Sequence, residues 1–331
     1  MKNILMISTG GTIASVNKGK GLVPGLNSRD LVEYLKLDRD RINLETLDLM
    51  SIDSTDIQVE DWLKISCALE LNYDKYDGFV ITHGTDTLAY TACAISYLIQ
   101  NSKKPIVLTG AQKSIFSDIT DAKLNLTDSI TYASDDKSND VSIVFNGKVI
   151  AGTRGRKEKT KSYDAFTSLN YPLLATVHDD RIIRYIHKEA LEENPTFYHK
   201  LDDSVFLLKL IPTIEPELLF YIFEKYKTVI VESYGVGGIP SYLVDTFKAV
   251  NKSEKQRNIV ITTQVPMEGS DISVYEVGRR LDELNIMESF DMTLEATVVK
   301  LMWAMAQSEG DFNKLKDLFY TQINFDTLYE L

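Results

Sequence analysis

The sequence predicts an α/β protein of two domains, and three observations carry that reading. Apolar, strand-like runs alternate with helix-patterned stretches from the N-terminus onward. A polar, irregular stretch beginning "HKEALEENPTFYHKLDDS" interrupts the rhythm, and the alternation resumes beyond it. The 331 residues also suit two units, at roughly 150 residues each. The expected division is 1–185 for a larger N-terminal domain, 186–204 for a linker and 205–331 for a smaller C-terminal α/β domain.

Taken in order, "KNILMIS" is a strand that stops abruptly at "TGGT". Helix signals follow over Ser28–Lys36, with Ser28 placed to cap the first turn. "LETLDLMSI" is a strand and "VEDWLKISCALELNY" a helix; "YDGFVITHG" is a strand and "LAYTACAISYLIQN" a helix. "KPIVLTG" and "TDAKLNLTDSITYAS" repeat the pair. Strands separated by helices run parallel, with helices on both faces, so a flavodoxin/Rossmann-like sheet is expected. "VSIVF" and "KVIAG" flank Asn146-Gly147, a strong hairpin signal. The basic stretch "RGRKEKTK" reads by default as a solvated loop. In the C-terminal domain "SVFLLKLIP", "TVIVESYG" and "NIVITTQ" are strands, "EPELLFYIFEKY" and "SYLVDTFKAVN" are helices, and two more helices are expected around Val274–Leu284 and Leu294–Gln307.

A net charge of −12 argues against nucleic acid as a partner, because a phosphate backbone is repelled by such a surface. No apolar run approaches the roughly 18 residues of a membrane span, and the N-terminal stretch lacks the pattern of an export signal. Cys67 and Cys93 lie in helical contexts without CxxC spacing, so both are expected as buried free thiols in a cytoplasmic protein. GxGxxG, Walker A, HExxH and GxSxG patterns are all absent, which leaves no support for a nucleotide, a metal or a nucleophile elbow. No cofactor and no metal are expected.

What remains is hydroxyl and carboxylate side chains at strand ends. Thr9-Gly10-Gly11-Thr12 follows the first strand, Asp53-Ser54-Thr55 the second, His83-Gly84-Thr85-Asp86-Thr87 the third and Thr109-Gly110-Ala111-Gln112 the fourth. Each alone is an ordinary helix cap, for Ser, Thr and Asp are what caps use. Four together, at the carboxyl edge of one parallel sheet, converge on the crevice where open α/β sheets bind ligands. A threonine nucleophile needs a partner that takes its proton. His83 reads as a packed residue; a lysine serves if it is well desolvated, which a nearby aspartate opposes.

"TGGTIAS" with "GFVITHGTDTLAYTA" strongly resembles the bacterial L-asparaginases, and "SYDAF" and "DMTLEAT" resemble their cytoplasmic type I branch, over essentially the whole chain. The resemblance implies L-asparagine amidohydrolase activity, yielding L-aspartate and ammonia through a threonine acyl-enzyme. It implies Thr12 as nucleophile, with Thr85, Asp86 and Lys157 as the group that moves protons. Asp53, Ser54 and Thr55 correspond to the substrate-binding loop, shared with Thr85 and Asp86; Asp86 would face the α-ammonium. Backbone N–H groups near Thr85 and in the Thr109–Gln112 turn are the expected oxyanion donors. A homodimer or homotetramer is implied, with Tyr234–Gly238 and Tyr275–Glu276 as residues a neighbour could borrow.

Two departures stand out. The family's loop tyrosine has its counterpart in "KGKGLVP" at Leu22, in a lid hinged at Gly19 and Gly21, and a known regulatory site's arginine and cysteine are replaced by Glu232 and Val265. Rival readings are a glutaminase, the amidase component of a tRNA-dependent amidotransferase, and a non-catalytic amino-acid binder. Asparagine and glutamine differ by one methylene, which a pocket distinguishes by only about 1–3 kcal/mol.

Overall fold

The computed structural model describes residues 1–17, 22–24, 28–35, 38, 40–187, 193–251, 257–274 and 286–329. The chain forms two units, Met1–His199 with Ile323–Phe325, and Lys200–Gln322 with Asp326–Leu331.

The first unit is built on β1 (Lys2–Gly10), β2 (Ile42–Ile52), β3 (Gly78–Thr82), β4 (Pro105–Thr109), β5 (Asp140–Phe145) and β6 (Lys148–Ala151). The short strands β7 (Gly155–Lys157) and β8 (Phe166–Ser168) form a separate ribbon, and β9 (Ala175–His178) and β10 (Arg181–Arg184) follow. The large sheet has eight strands in the order β10-β9-β6-β5-β4-β3-β1-β2. β2, β1, β3, β4 and β5 are all parallel. Their 2-1-3-4-5 order reverses direction between β1 and β3, and a crevice opens at the carboxyl ends of strands on either side of such a reversal. From β6 the sheet turns antiparallel. The β5–β6 turn is the expected one: Asn146 and Gly147 have φ of 51° and 72°, as a type I′ hairpin requires.

Among the described residues of this unit the helices are α1 (Ser28–Glu33), α2 (Val59–Asn72), α3 (Leu88–Leu98) and α4 (Ala122–Ala133). Ile4, Met6, Val80, Val107 and Val144 form one buried face with Leu31 of α1 and Leu126 and Ile130 of α4. The alternate residues Leu5, Ile7, Phe79, Ile81, Leu108 and Ile143 are equally buried, and α3 packs against β4 and β5. Strands buried on both faces must be apolar throughout, which is why they are continuous runs in the sequence. Ile323–Phe325 closes this unit: the Thr153 hydroxyl donates to the Asn324 carbonyl at 2.6 Å, and Phe325 stacks on Tyr171.

Several expectations change on contact with the structure. Helix α1 starts at Ser28, but the expected cap is not made: among the described residues the buried Ser28 hydroxyl has no hydrogen-bond partner, and the Ser28 N–H donates to the Asp48 carboxylate at 2.8 Å. Cys67 is exposed while Cys93 is buried; helix α2 buries Asp61, Trp62, Ile65, Ser66, Ala68 and Leu69, and Cys67 lies off that face. "RGRKEKTK" is not simply a loop, since its first residues form β7 and pair with β8. Thr196–Phe197, inside the expected linker, pairs antiparallel with Ile99–Gln100. The lid segment at Gly19 and Gly21 lies outside the described residues; Leu22 opens a strand, Leu22–Pro24, paired with Ser15–Asn17.

Asp128 of α4 is buried, and among the described residues its Oδ2 has no hydrogen-bond partner. Burial, aided by the negative charge of Asp180, raises its carboxyl to about 6. The folded state therefore holds this proton more tightly than the unfolded chain. Its stabilisation is complete below the ordinary carboxyl range and is lost as pH rises through about 6. After allowance for solvent screening the loss is on the order of 1–2 kcal/mol. Urea midpoints taken from pH 4 to pH 8 should show this fall in the wild type and a flatter curve for Asp128→Asn; parallel curves would remove Asp128 as the cause.

The second unit has four parallel strands in chain order: β11 (Val205–Lys209), β12 (Thr228–Ser233), β13 (Asn258–Thr263) and β14 (Ile286–Glu288). Helices α5 (Pro216–Lys225), α6 (Ser241–Asn251), α7 (Leu294–Ser308) and α8 (Phe312–Tyr320) accompany them. Leu219, Phe223, Leu243 and Phe247 meet Val229, Val231, Ile259 and Ile261 in its core. β14 and α8 go beyond the elements expected from the sequence, and the helix placed around Val274–Leu284 falls mostly outside the described residues, as does Tyr275–Glu276. Tyr234 and Gly238 close a tight turn by exchanging backbone hydrogen bonds of 3.0 and 2.6 Å. Glu232 is buried and pairs with Lys209, and Val265 is exposed. Among the described residues no helix is long and apolar enough to cross a membrane.

Candidate active site

Four strand-end loops meet at the β1/β3 reversal, and glycines let them. A side chain at Gly10 would strike the Ile52 carbonyl at 2.5 Å, and one at Gly11 the Gly84 nitrogen at 2.4 Å. A Cβ on Gly84 would sit 2.5 Å from Ser54 Oγ, and one on Gly110 2.4 Å from the His83 carbonyl. So the ends of β1, β2, β3 and β4 are in direct contact. Gly10 and Gly11 also take φ of 106° and 87°, a region that L side chains avoid. The abrupt "TGGT" stop is thus a turn that seats Gly11 against the His83–Gly84 backbone, with half-buried Thr12 next in sequence and opening a single 3₁₀ turn (Thr12–Ala14). Gly11→Ala should separate these loops: we expect kcat to fall at least about 100-fold, as even a 1 Å misplacement can cost that much. A variant with near-wild-type kcat would show that the contact is dispensable.

Lys157, on β7, reaches the same edge. Its ammonium donates to Thr85 Oγ1 at 2.8 Å and to Asp86 Oδ1 at 2.7 Å. Thr85 is 5% exposed, whereas the Asp86 carboxylate is largely in solvent. The three side chains therefore form one bonded set, with its proton-bearing hydroxyl inside and its charge at the mouth. Lys157 is carried there by register, opposite Phe166 on β8, and Phe166 is packed against Phe145 of the main sheet.

The β2 loop is arranged differently from a row of free ligands. Asp53 Oδ1 accepts from the Thr55 N–H at 3.0 Å and the Thr55 hydroxyl at 2.9 Å, so the carboxylate caps its own 3₁₀ turn. Ser54 is buried against Gly84, and its carbonyl accepts from the Thr87 hydroxyl at 2.7 Å. Within this loop Asp53 and Thr55 are the exposed residues.

His83 is a packed residue, as its position suggested. It is 1% exposed; Nδ1 donates to the Gly84 carbonyl at 2.8 Å, and Nε2 lies 3.0 Å from the Thr91 hydroxyl. Trp62 Nε1 donates to that same hydroxyl at 3.0 Å, so the hydroxyl's own proton points at the imidazole. Burial lowers the imidazole to about 4, which leaves it neutral in ordinary conditions. It therefore fixes the Gly84 carbonyl rather than moving protons.

The fourth loop is held by residues that carry little signal in the sequence. Asp121, buried just before α4, accepts from the Gln112 N–H at 2.9 Å and the Lys113 N–H at 3.0 Å. The Gln112 N–H is therefore committed to Asp121 and is not a free donor of this turn. Asn125 Nδ2 donates to the Gly110 carbonyl at 2.9 Å. The one sequence signal for this support is an aspartate opening "DAKLN", which reads as a routine cap.

Comparison with known proteins finds relatives over almost the whole chain. Residues 3–190 match the family model described as asparaginase, N-terminal, and residues 204–319 that of the glutaminase/asparaginase C-terminal domain. An L-asparaginase of Thermococcus kodakarensis is 37% identical over 97% of both chains. A component of the glutamyl-tRNA(Gln) amidotransferase of Sulfolobus acidocaldarius is 33% identical over 99% of this chain and 77% of its own. Among solved structures, the thermostable L-asparaginase from Thermococcus kodakarensis superposes with a TM-score of 0.93 at 35% identity, over 99% of this chain and 100% of that one. L-asparaginase I from Vibrio cholerae gives a TM-score of 0.86 at 26% identity, over 99% of each. With both domains matched in order and relatives similar along almost the full length, the chain belongs to the asparaginase/glutaminase family.

Proposed function

We propose that this protein is an L-asparaginase, hydrolysing the side-chain amide of L-asparagine to L-aspartate and ammonia. The observation that carries the reading is the bonded Lys157–Thr85–Asp86 set lying beside the glycine-packed turn of Thr12, in a chain of this family. Thr12 Oγ attacks the amide carbon; Thr85 Oγ1 takes its proton while passing its own to Lys157 Nζ, which serves in this step as the neutral amine. The carbonyl oxygen takes the negative charge opposite backbone N–H groups of the strand-end turns; one such donor is commonly worth about 2.7–4 kcal/mol. Collapse breaks the C–N bond, the nitrogen takes a proton and ammonia leaves, with an aspartyl ester on Thr12. Water, deprotonated by the same pair, attacks that ester and frees L-aspartate and the Thr12 hydroxyl. Asp86 holds the substrate's ammonium, and hydroxyl and backbone N–H groups of the Asp53–Thr55 loop hold its α-carboxylate.

The finer placement is also proposed: a cytoplasmic enzyme of the type I branch acting as a homodimer or homotetramer. Two free thiols, one of them exposed at Cys67, suit a reducing compartment, and the similarity to L-asparaginase I from Vibrio cholerae supports the branch. Purified protein without added metal or nucleotide should release ammonia from L-asparagine faster than from L-glutamine. A faster glutamine reaction would turn the reading to a glutaminase, and silence on both would sink it.

A further inference from the structure

The Gln112 carboxamide lies between Thr85 and the chain that carries Lys157. Its Nε2 donates to the Lys159 carbonyl at 3.2 Å and the Ser162 carbonyl at 3.1 Å. Its Oε1 lies 3.4 Å from the Thr85 hydroxyl. Two carbonyls on one side demand the NH₂ group there, so the amide has only one sensible orientation.

The mount is rigid and the reach is specific. Asp121 holds the Gln112 backbone N–H, Asn125 holds the Gly110 carbonyl, and both of these side chains are buried. The Lys159–Ser162 stretch, by contrast, is exposed at the surface, shortly after Lys157. Gln112 thus ties an exposed segment to a fixed turn.

The Thr85 hydroxyl shows why that tie matters. Lys157 donates to it, and an ammonium cannot accept in return. The hydroxyl proton must therefore point elsewhere, and Gln112 Oε1 is the acceptor on that side. A hydrogen bond of 3.4 Å is long, as such bonds often are before substrate binds.

We infer that Gln112 is a positioning residue for the Thr85–Lys157 pair, orienting the Thr85 hydroxyl with Oε1 while Nε2 clamps the segment that carries Lys157. This rests on the asparaginase reading above. Gln112 acts through Thr85 and Lys157, not on the substrate.

The test is steady-state kinetics of Gln112→Met and Gln112→Glu with L-asparagine, alongside thermal unfolding. Methionine keeps length and removes both arms; glutamate keeps an acceptor for Thr85 but turns the other arm against two carbonyls. We expect Gln112→Met to lose about tenfold in kcat with KM within twofold and an unfolding midpoint within a few degrees of wild type. Gln112→Glu should recover part of the lost kcat. A Gln112→Met variant with wild-type kcat would overturn the inference. So would a loss of kcat that merely tracks a lowered unfolding midpoint in both variants, because that is general loosening. If the wild type itself releases no ammonia from asparagine, the underlying reading fails instead, and the two failures are told apart in one experiment.

Discussion

Thr12→Ala should reduce ammonia release from L-asparagine by at least about 10⁴-fold, which corresponds to about 5.5 kcal/mol of transition-state stabilisation. The size follows from the chemistry: without the hydroxyl there is no ester, and the two-step route has no substitute of comparable rate. The fold should be indifferent to the change. Thr12 is half-buried at the start of a three-residue 3₁₀ turn, while the packing that joins the loops is made by Gly10, Gly11 and Gly84. The unfolding midpoint should stay within a few degrees of wild type, and asparagine should still bind. Thr12→Ser keeps the nucleophilic oxygen and loses one methyl, so it should retain measurable turnover. Wild-type kcat in Thr12→Ala would remove Thr12 from the mechanism and redirect attention to Thr85.

How much of this is legible in the sequence depends on the range of the interaction. β3, β4 and β5 can be read because a strand buried on both faces is apolar throughout. The four loops can be grouped because parallel strands end on one edge. What those loops do to each other cannot be read. Gly84 meeting Ser54 and Gly110 meeting His83 are contacts between elements distant in sequence, fixed only once register is set. Asp53 illustrates the limit within a single turn: a carboxylate at a strand end is equally a ligand or a cap, and here it caps Thr55. Asp121 and Gln112 are hidden for a related reason, since their value lies in what α4 and the β7–β8 ribbon are brought against. β9 and β10, short and half-exposed, offer too brief a pattern to be counted as strands.

Lys157→Met carries the second large effect and tests a different part of the scheme. Removing the ammonium deletes both of its hydrogen bonds, to Thr85 and to Asp86, and leaves the Thr85 hydroxyl without its proton-transfer partner. General acid–base catalysis of this kind is worth about 10²–10⁴-fold, so kcat should fall by that amount while KM changes much less. Stability should hardly move. The Lys157 side chain is mostly covered, but the Asp86 carboxylate is largely solvated, and a pair with one partner in water contributes only about 0–1 kcal/mol. The same logic separates Lys157 from its neighbour. Asp86→Asn removes the charge proposed to hold the substrate's ammonium, so there the loss should fall chiefly on KM. The discriminating measurement is the pH dependence of kcat: the profile of Lys157→Met should differ in shape from that of the wild type. An unchanged profile would mean that Lys157 holds Thr85 in place but never takes the proton, and the base would have to be sought elsewhere along the strand-end loops.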